Sequence, residues 1–151
     1  GNILKTFFVL LTAFSFLSFG FFNVIRQIKI TKTLDEIVRF VSLVKTEMNY
    51  RKSEFCHIYS IGENQNYKYL SFSDGQIYAD DAIGISIIEE FNSFIKKIGT
   101  TDQEGQMSLC DEYKSRFEEF LINRKEKNKE KLQVNTALSV FGALTILIFF
   151  L

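Results

Sequence analysis

The residues of this chain with the chemistry to react or to hold a metal are Cys56, His57, Cys110 and two carboxylate pairs, Glu89-Glu90 and Glu118-Glu119. Their spacing gives them no common task. His57 is the single histidine, and no other ligand type stands near it at metal-ligand spacing, so it reads as structural rather than as a ligand or a general base. Cys56 and Cys110 fall inside helical patterns, and two cysteines are too few for a disulfide scaffold. They read as reduced, partly buried thiols that form a redox pair only if the fold brings them together. Adjacent carboxylates point to different sides of a helix and read as solvated. Gly84, Gly99 and Gly105 lack the glycine-lysine signature of a phosphate loop. With no nucleophile–base pair, no metal set and no cofactor motif, these residues argue against an enzyme.

The elements that carry them are sharply divided by polarity. The chain has 151 residues, is 46% hydrophobic and contains no proline, which favours long helices. All its acidic residues lie between Asp35 and Glu130, and its formal net charge is zero, which argues against a nucleic-acid partner. Residues 6–25 carry no charge and span about 30 Å as a helix, the thickness of a hydrocarbon core. Thr12, Ser15 and Ser18 can return their hydroxyls to carbonyls of the preceding turn. Positive charges follow this run at Arg26, Lys29 and Lys32, so it reads as a retained anchor and not as a cleaved signal peptide. A second apolar run, residues 136–151, spans about 24 Å and shows almost no polar stripe. A charged collar of Arg124, Lys125, Lys127, Lys129 and Lys131 leads into it. Both basic clusters flank the central region, which places that region in the cytoplasm by the positive-inside rule.

The expected division is therefore an N-terminal transmembrane anchor over residues 1–29, a cytoplasmic helical bundle over 30–131 and a C-terminal anchor over 132–151. Leu34, Ile37, Val38, Val41, Val44 and Met48 mark an amphipathic helix continuing from the first span. Ser53 can cap a short helix carrying Phe55, Cys56, Ile58 and Tyr59, with Gly62 as its stop. Tyr67, Tyr69, Leu70 and Phe72 form a short apolar element before the turn signal Ser73-Asp74-Gly75. Ile87, Ile88, Phe91, Phe94, Ile95 and Ile98 build the next helix face, with Ser86 and Glu89 as a capping box and Gly99 as the stop. Thr101 and Glu104 make a second box opening the last helix, whose apolar face holds Met107, Cys110, Tyr113, Phe117, Phe120 and Leu121. The fold class expected is all-α: an antiparallel helical bundle between two transmembrane helices.

Within this frame, Ile98, Gly99, Asp102 and Gln106 resemble the leucine-glycine-x-x-aspartate-x-x-x-glutamine signature of the stage III sporulation protein AB family. Thr46-Glu47-Met48-Asn49-Tyr50 resembles the glutamate-x-x-tyrosine segment of the same family, and residues 125–151 resemble its lysine- and glutamate-rich helix and closing anchor. Arg51-Lys52-Ser53-Glu54-Phe55 stands where that family has a Pro-Leu pair. The resemblance implies a domain similar to the helical F-domain of type II secretion and type IV pilus platform proteins. It further implies a non-enzymatic scaffold, without cofactor, in a sporulation channel between mother cell and forespore. The implied partners are the secretion-type ATPase, stage III sporulation protein AA, and other proteins of the same complex. The implied location is the mother-cell membrane around the forespore, with Glu47, Tyr50, Gly99, Asp102 and Gln106 as partner-binding candidates. Turn and capping chemistry gives most of these five an ordinary structural role as well. A membrane-tethered helical adaptor or signalling module unrelated to sporulation is the alternative.

Overall fold

A computed structural model describes residues 2–51, 55–98, 100 and 103–150, with the backbone alone at 49–51, 55, 103 and 132. The chain is mostly helical. Helix α1 (Asn2–Arg51) is followed by α2 (Phe55–Asn64), strands β1 (Leu70–Ser73) and β2 (Gln76–Ala79), a 3-10 turn (Asp81–Ile83), α3 (Ile85–Lys97) and α4 (Gln103–Phe150). Both α1 and α4 are long and apolar enough to cross a membrane, and little of either apolar stretch is buried. The chain forms two compact units, Gly1–Ile28 with Lys125–Leu151, and Lys29–Arg124.

In the first unit, the opening of α1 pairs antiparallel with the end of α4. A Cβ on Gly20 would lie 2.6 Å from Ser139 Oγ, and one on Gly142 would lie 3.4 Å from the Phe16 ring. Asn128 donates its side-chain amide to the Gln27 carbonyl at 3.5 Å. Val9, Ala13, Ser139 and Ala143 are buried in this seam. Most of the large side chains other than Phe16 point away from it: Phe7, Phe14, Phe19, Phe22, Phe141 and Phe149 are all exposed. Thr6, Thr12 and Ser15 hand their hydroxyls to carbonyls four residues back, so their polarity stays within the helix.

The second unit has the ordinary arrangement, apolar inside. Ile30, Leu34, Ile37, Val41, Val44 and Met48 are buried at alternating spacings of three and four, one continuous stripe down α1. Against it pack Ile87, Phe91, Phe94 and Ile98 from the α3 segment, and Cys110, Tyr113, Phe117 and Leu121 from α4. Phe40 is fully buried and meets Tyr67, Phe72 and Phe91 edge-on at centroid distances of 6.3, 5.9 and 6.2 Å.

Several local expectations change. The all-α expectation holds for the chain as a whole, and between its helices the second unit adds one short antiparallel hairpin where an apolar element and a turn were expected. Leu70, Phe72, Ile77 and Ala79 share one face of the hairpin, and Asp74 and Gly75, at φ +52° and +75°, make the two-residue turn that matches strand twist. Gly62 does not stop α2, which runs on to Asn64; the left-handed residue is Asn66, at φ +54°. Gly62 serves packing instead. A Cβ there would sit 2.7 and 2.8 Å from Phe72 ring atoms and 3.0 Å from the Phe40 ring. Ser86 does not cap α3. Gly84, at φ +94°, is the cap residue, so Ser86 already lies in the first turn. Asp80 supplies the local cap by accepting the Ala82 N–H at 3.0 Å, ahead of the 3-10 turn. The expected capping roles of Ser53, Gly99 and Thr101 lie outside the described residues.

A Gly→Ala change inside a helix ordinarily stabilises by roughly 1 kcal/mol. At Gly62 we expect the opposite sign, a loss of about 1–3 kcal/mol, because the methyl must displace two packed aromatic rings. Urea denaturation of the full chain in mild detergent checks this, and a gain in stability would refute the packing account.

Candidate functional site

Of the five partner-binding candidates, the structure describes the side chains of Glu47 and Gln106. Tyr50 is placed in α1 by its backbone, and Gly99 and Asp102 lie outside the described residues. Gln106 is buried, one turn before Cys110 and two before Tyr113 on the core face of α4. Glu47 is half-buried on α1, with Oε2 3.7 Å from His57 Nε2 on α2. That oxygen accepts no hydrogen bond among the described residues. Both described side chains are thus turned toward other parts of the chain.

Glu36 organises the loop before the hairpin. Its side chain is 7% exposed, and its two carboxylate oxygens accept the backbone N–H groups of Lys68 at 2.8 Å and Tyr69 at 2.6 Å. An ionised acceptor makes these bonds stronger than neutral ones. Arg39, one turn on, lies 3.9 Å from Glu36 and 5.9 Å from the centre of the Tyr67 ring. Burial pushes the Tyr67 phenol above its ordinary pKa, with Arg39 opposing and Glu36 reinforcing the shift.

A second polar cluster joins α3 to α4 around Tyr113. The Tyr113 hydroxyl meets Ser93 Oγ at 3.0 Å and accepts from Lys97 Nζ at 3.1 Å. Arg116 lies 5.1 Å from the ring centre and donates to Glu90 at 3.0 Å and Glu112 at 2.6 Å. Lys45 and Asp111 pair between α1 and α4. Through these contacts the Tyr113 cluster fastens α3 to α4. Nothing in the sequence marked it, because Tyr113 and Ser93 are 20 residues apart.

The hairpin and α3 enclose a groove of about 470 Å³, lined by residues 75–78 and by Asn92, Ile95, Lys96 and Ile98. Among the described residues no three His, Cys, Asp or Glu side chains gather to hold a metal ion. Both cysteines are free, Cys56 exposed and Cys110 buried. No family model matches this chain, and no curated protein or solved structure is found similar to it.

The thiols differ in a way that can be measured. Burial, reinforced by Asp111 and opposed by Lys45, pushes Cys110 from 9.0 up to about 11. The folded chain therefore favours the protonated thiol. Stability from this source is full below 9.0 and is lost as pH rises through about 11. We expect maleimide to modify Cys56 in folded protein and to reach Cys110 only after denaturation. Denaturation midpoints across that alkaline range should fall more steeply for the wild type than for Cys110→Ala. Equal slopes would place the thiol in contact with water.

Proposed function

We propose that the chain is a membrane-anchored platform protein whose Lys29–Arg124 unit docks a cytoplasmic secretion-type ATPase. The observation that carries the membrane part is the inverted packing of the first unit. Gly20, Ser139, Ala13 and Ala143 line its seam while phenylalanines cover its outside, an arrangement that water disfavours and hydrocarbon accepts. Close approach at small residues and the Asn128–Gln27 hydrogen bond are the means by which helices associate where no hydrophobic force drives them together. Arg26, Lys29 and Lys32 follow the first apolar run, and five cations between Arg124 and Lys131 precede the second. Under the positive-inside rule they support a cytoplasmic side for the Lys29–Arg124 unit.

The scaffold part rests on the resemblance of Glu47, Tyr50, Gly99, Asp102 and Gln106, within this two-anchor frame, to the stage III sporulation protein AB pattern. On that reading the helices of the second unit correspond to an F-domain-like bundle. The partner is the stage III sporulation protein AA-like ATPase, and the setting is the mother-cell membrane around the forespore. A second reading, a membrane-tethered adaptor unrelated to sporulation, is favoured by the inward placement of Gln106 and the Glu47–His57 approach. Those positions answer to the fold of this chain without any partner.

Co-expression with the ATPase separates the two readings. The platform reading expects the proteins to co-purify in detergent, and two folded proteins that elute apart would rule it out. Orientation has its own measurement. Because Cys56 is exposed, a membrane-impermeant maleimide should leave it untouched in intact cells and label it once the membrane is opened. Labelling in intact cells would reverse the orientation.

A further inference from the structure

Apart from Lys5, the charge of the first unit gathers at one end: Arg26, Lys125, Lys127, Lys129 and Lys131 against Glu126 and Glu130. The helix seam sorts these groups. Asn128 is buried facing α1, so at about 100° per residue Glu126 and Glu130 point to the far side of α4. Lys125 and Lys129 then fall on one flank of the seam, Lys127 and Lys131 on the other. On α1 the buried row through Val9, Ala13 and Gly20 leaves Arg26 on a flank as well. Because the two helices are right-handed and antiparallel, it is the flank of Lys127 and Lys131. Height agrees. Arg26 precedes Gln27, whose carbonyl Asn128 holds, and Lys131 lies three residues past Asn128 toward the Gly20–Ser139 contact. Arg26, Lys127 and Lys131 are exposed, and none enters an ion pair among the described residues. Along the uncharged runs the same flank is apolar. Phe22 and Phe19 lie one and two turns from Arg26, Val134 and Leu138 one and two turns from Lys131, and all four are exposed.

We propose that this flank binds one anionic phospholipid, with its headgroup phosphate on Arg26, Lys127 and Lys131 and an acyl chain along Phe19, Phe22 and Leu138. The join of cations to apolar rows selects the occupant. A free phosphate would use the cations and leave the apolar rows bare, whereas a phospholipid covers both. Arg26 offers a planar fork of donors that matches phosphate oxygens, and the lysines add point charge. The two carboxylates of the collar face away, so they do not cancel this charge. The opposite flank has Lys125 and Lys129 but no cation from α1 within the unit. The proposal rests on the membrane part of the proposed function and is independent of the ATPase.

The test mixes the full chain in uncharged detergent with phosphatidylglycerol and phosphatidylcholine of identical acyl chains, and reads the retained lipid by native mass spectrometry. One phosphatidylglycerol should be kept in preference to phosphatidylcholine, and inorganic phosphate at the same concentration should not displace it. Arg26→Gln combined with Lys131→Gln should lower that preference roughly tenfold. Lys125→Gln combined with Lys129→Gln makes the same change of charge on the opposite flank and should leave the preference within about twofold. All four positions are exposed, so both variants should keep their helix content. Should a double variant not fold, Lys131→Gln alone against Lys129→Gln alone makes the same comparison. Equal retention of the two lipids, displacement by phosphate, or equal losses in the two variants would each overturn the proposal. Flotation with neutral vesicles separates it from the reading beneath it. A chain that stays behind removes the membrane reading and the proposal with it, whereas one that floats without lipid preference overturns the proposal alone.

Discussion

A carboxylate removed from water must be given partners, and the Lys29–Arg124 unit is arranged around one that is. Glu36 sits on the core side of α1, where an unpaired charge would be strongly unfavourable. Its partners are the consecutive backbone N–H groups of Lys68 and Tyr69, which would otherwise be half-buried donors without acceptors. Each side of the contact relieves a penalty on the other. Fixing those two residues sets where β1 begins, and hence which hairpin face meets Phe40. Phe40 in turn gathers Tyr67, Phe72 and Phe91. Gly62 completes the arrangement by withholding a side chain where the Phe72 ring must lie.

The first unit obeys the reverse rule because its proposed solvent differs. In water, burying phenylalanine stabilises; in hydrocarbon, phenylalanine gains nothing by leaving the lipid. Association then depends on how closely the backbones approach and on hydrogen bonds between polar groups. Gly20 against Ser139, Gly142 against Phe16 and Asn128 on the Gln27 carbonyl supply these contacts. The two units therefore share helices α1 and α4 but follow opposite packing rules, apolar inward in one and apolar outward in the other.

Features arising from neighbours in the chain were legible in advance. The stripe from Leu34 to Met48, the face from Ile87 to Ile98 and the row from Cys110 to Leu121 follow helical periodicity; most of their apolar residues are buried, and Val38, Ile88, Ile95 and Phe120 are half-buried at the margins. The turn at Asp74-Gly75 was equally plain, although the strand after it, Gln76–Ala79, is too short to announce itself. Reading fails where one residue type answers to two causes. Gly62 looks like a stop because glycine ends helices, yet it is present to admit an aromatic ring. Ser86 and Glu89 have capping-box spacing, but Gly84 turns the chain into α3 before Ser86 is reached.

By itself the sequence determined the two uncharged runs, the basic clusters beside them, the long proline-free helices and the absence of any local catalytic motif. These depend on residues a few positions apart, where hydrophobic spacing and backbone geometry leave little choice. Tertiary structure decided that Glu36 holds residues 32 and 33 positions away and that Tyr113 meets Ser93. It also decided that Arg26 and Lys131 come to one flank of the seam between α1 and α4. A carboxylate or a cation carries no local sign of its neighbour, because that neighbour is chosen by how distant segments pack.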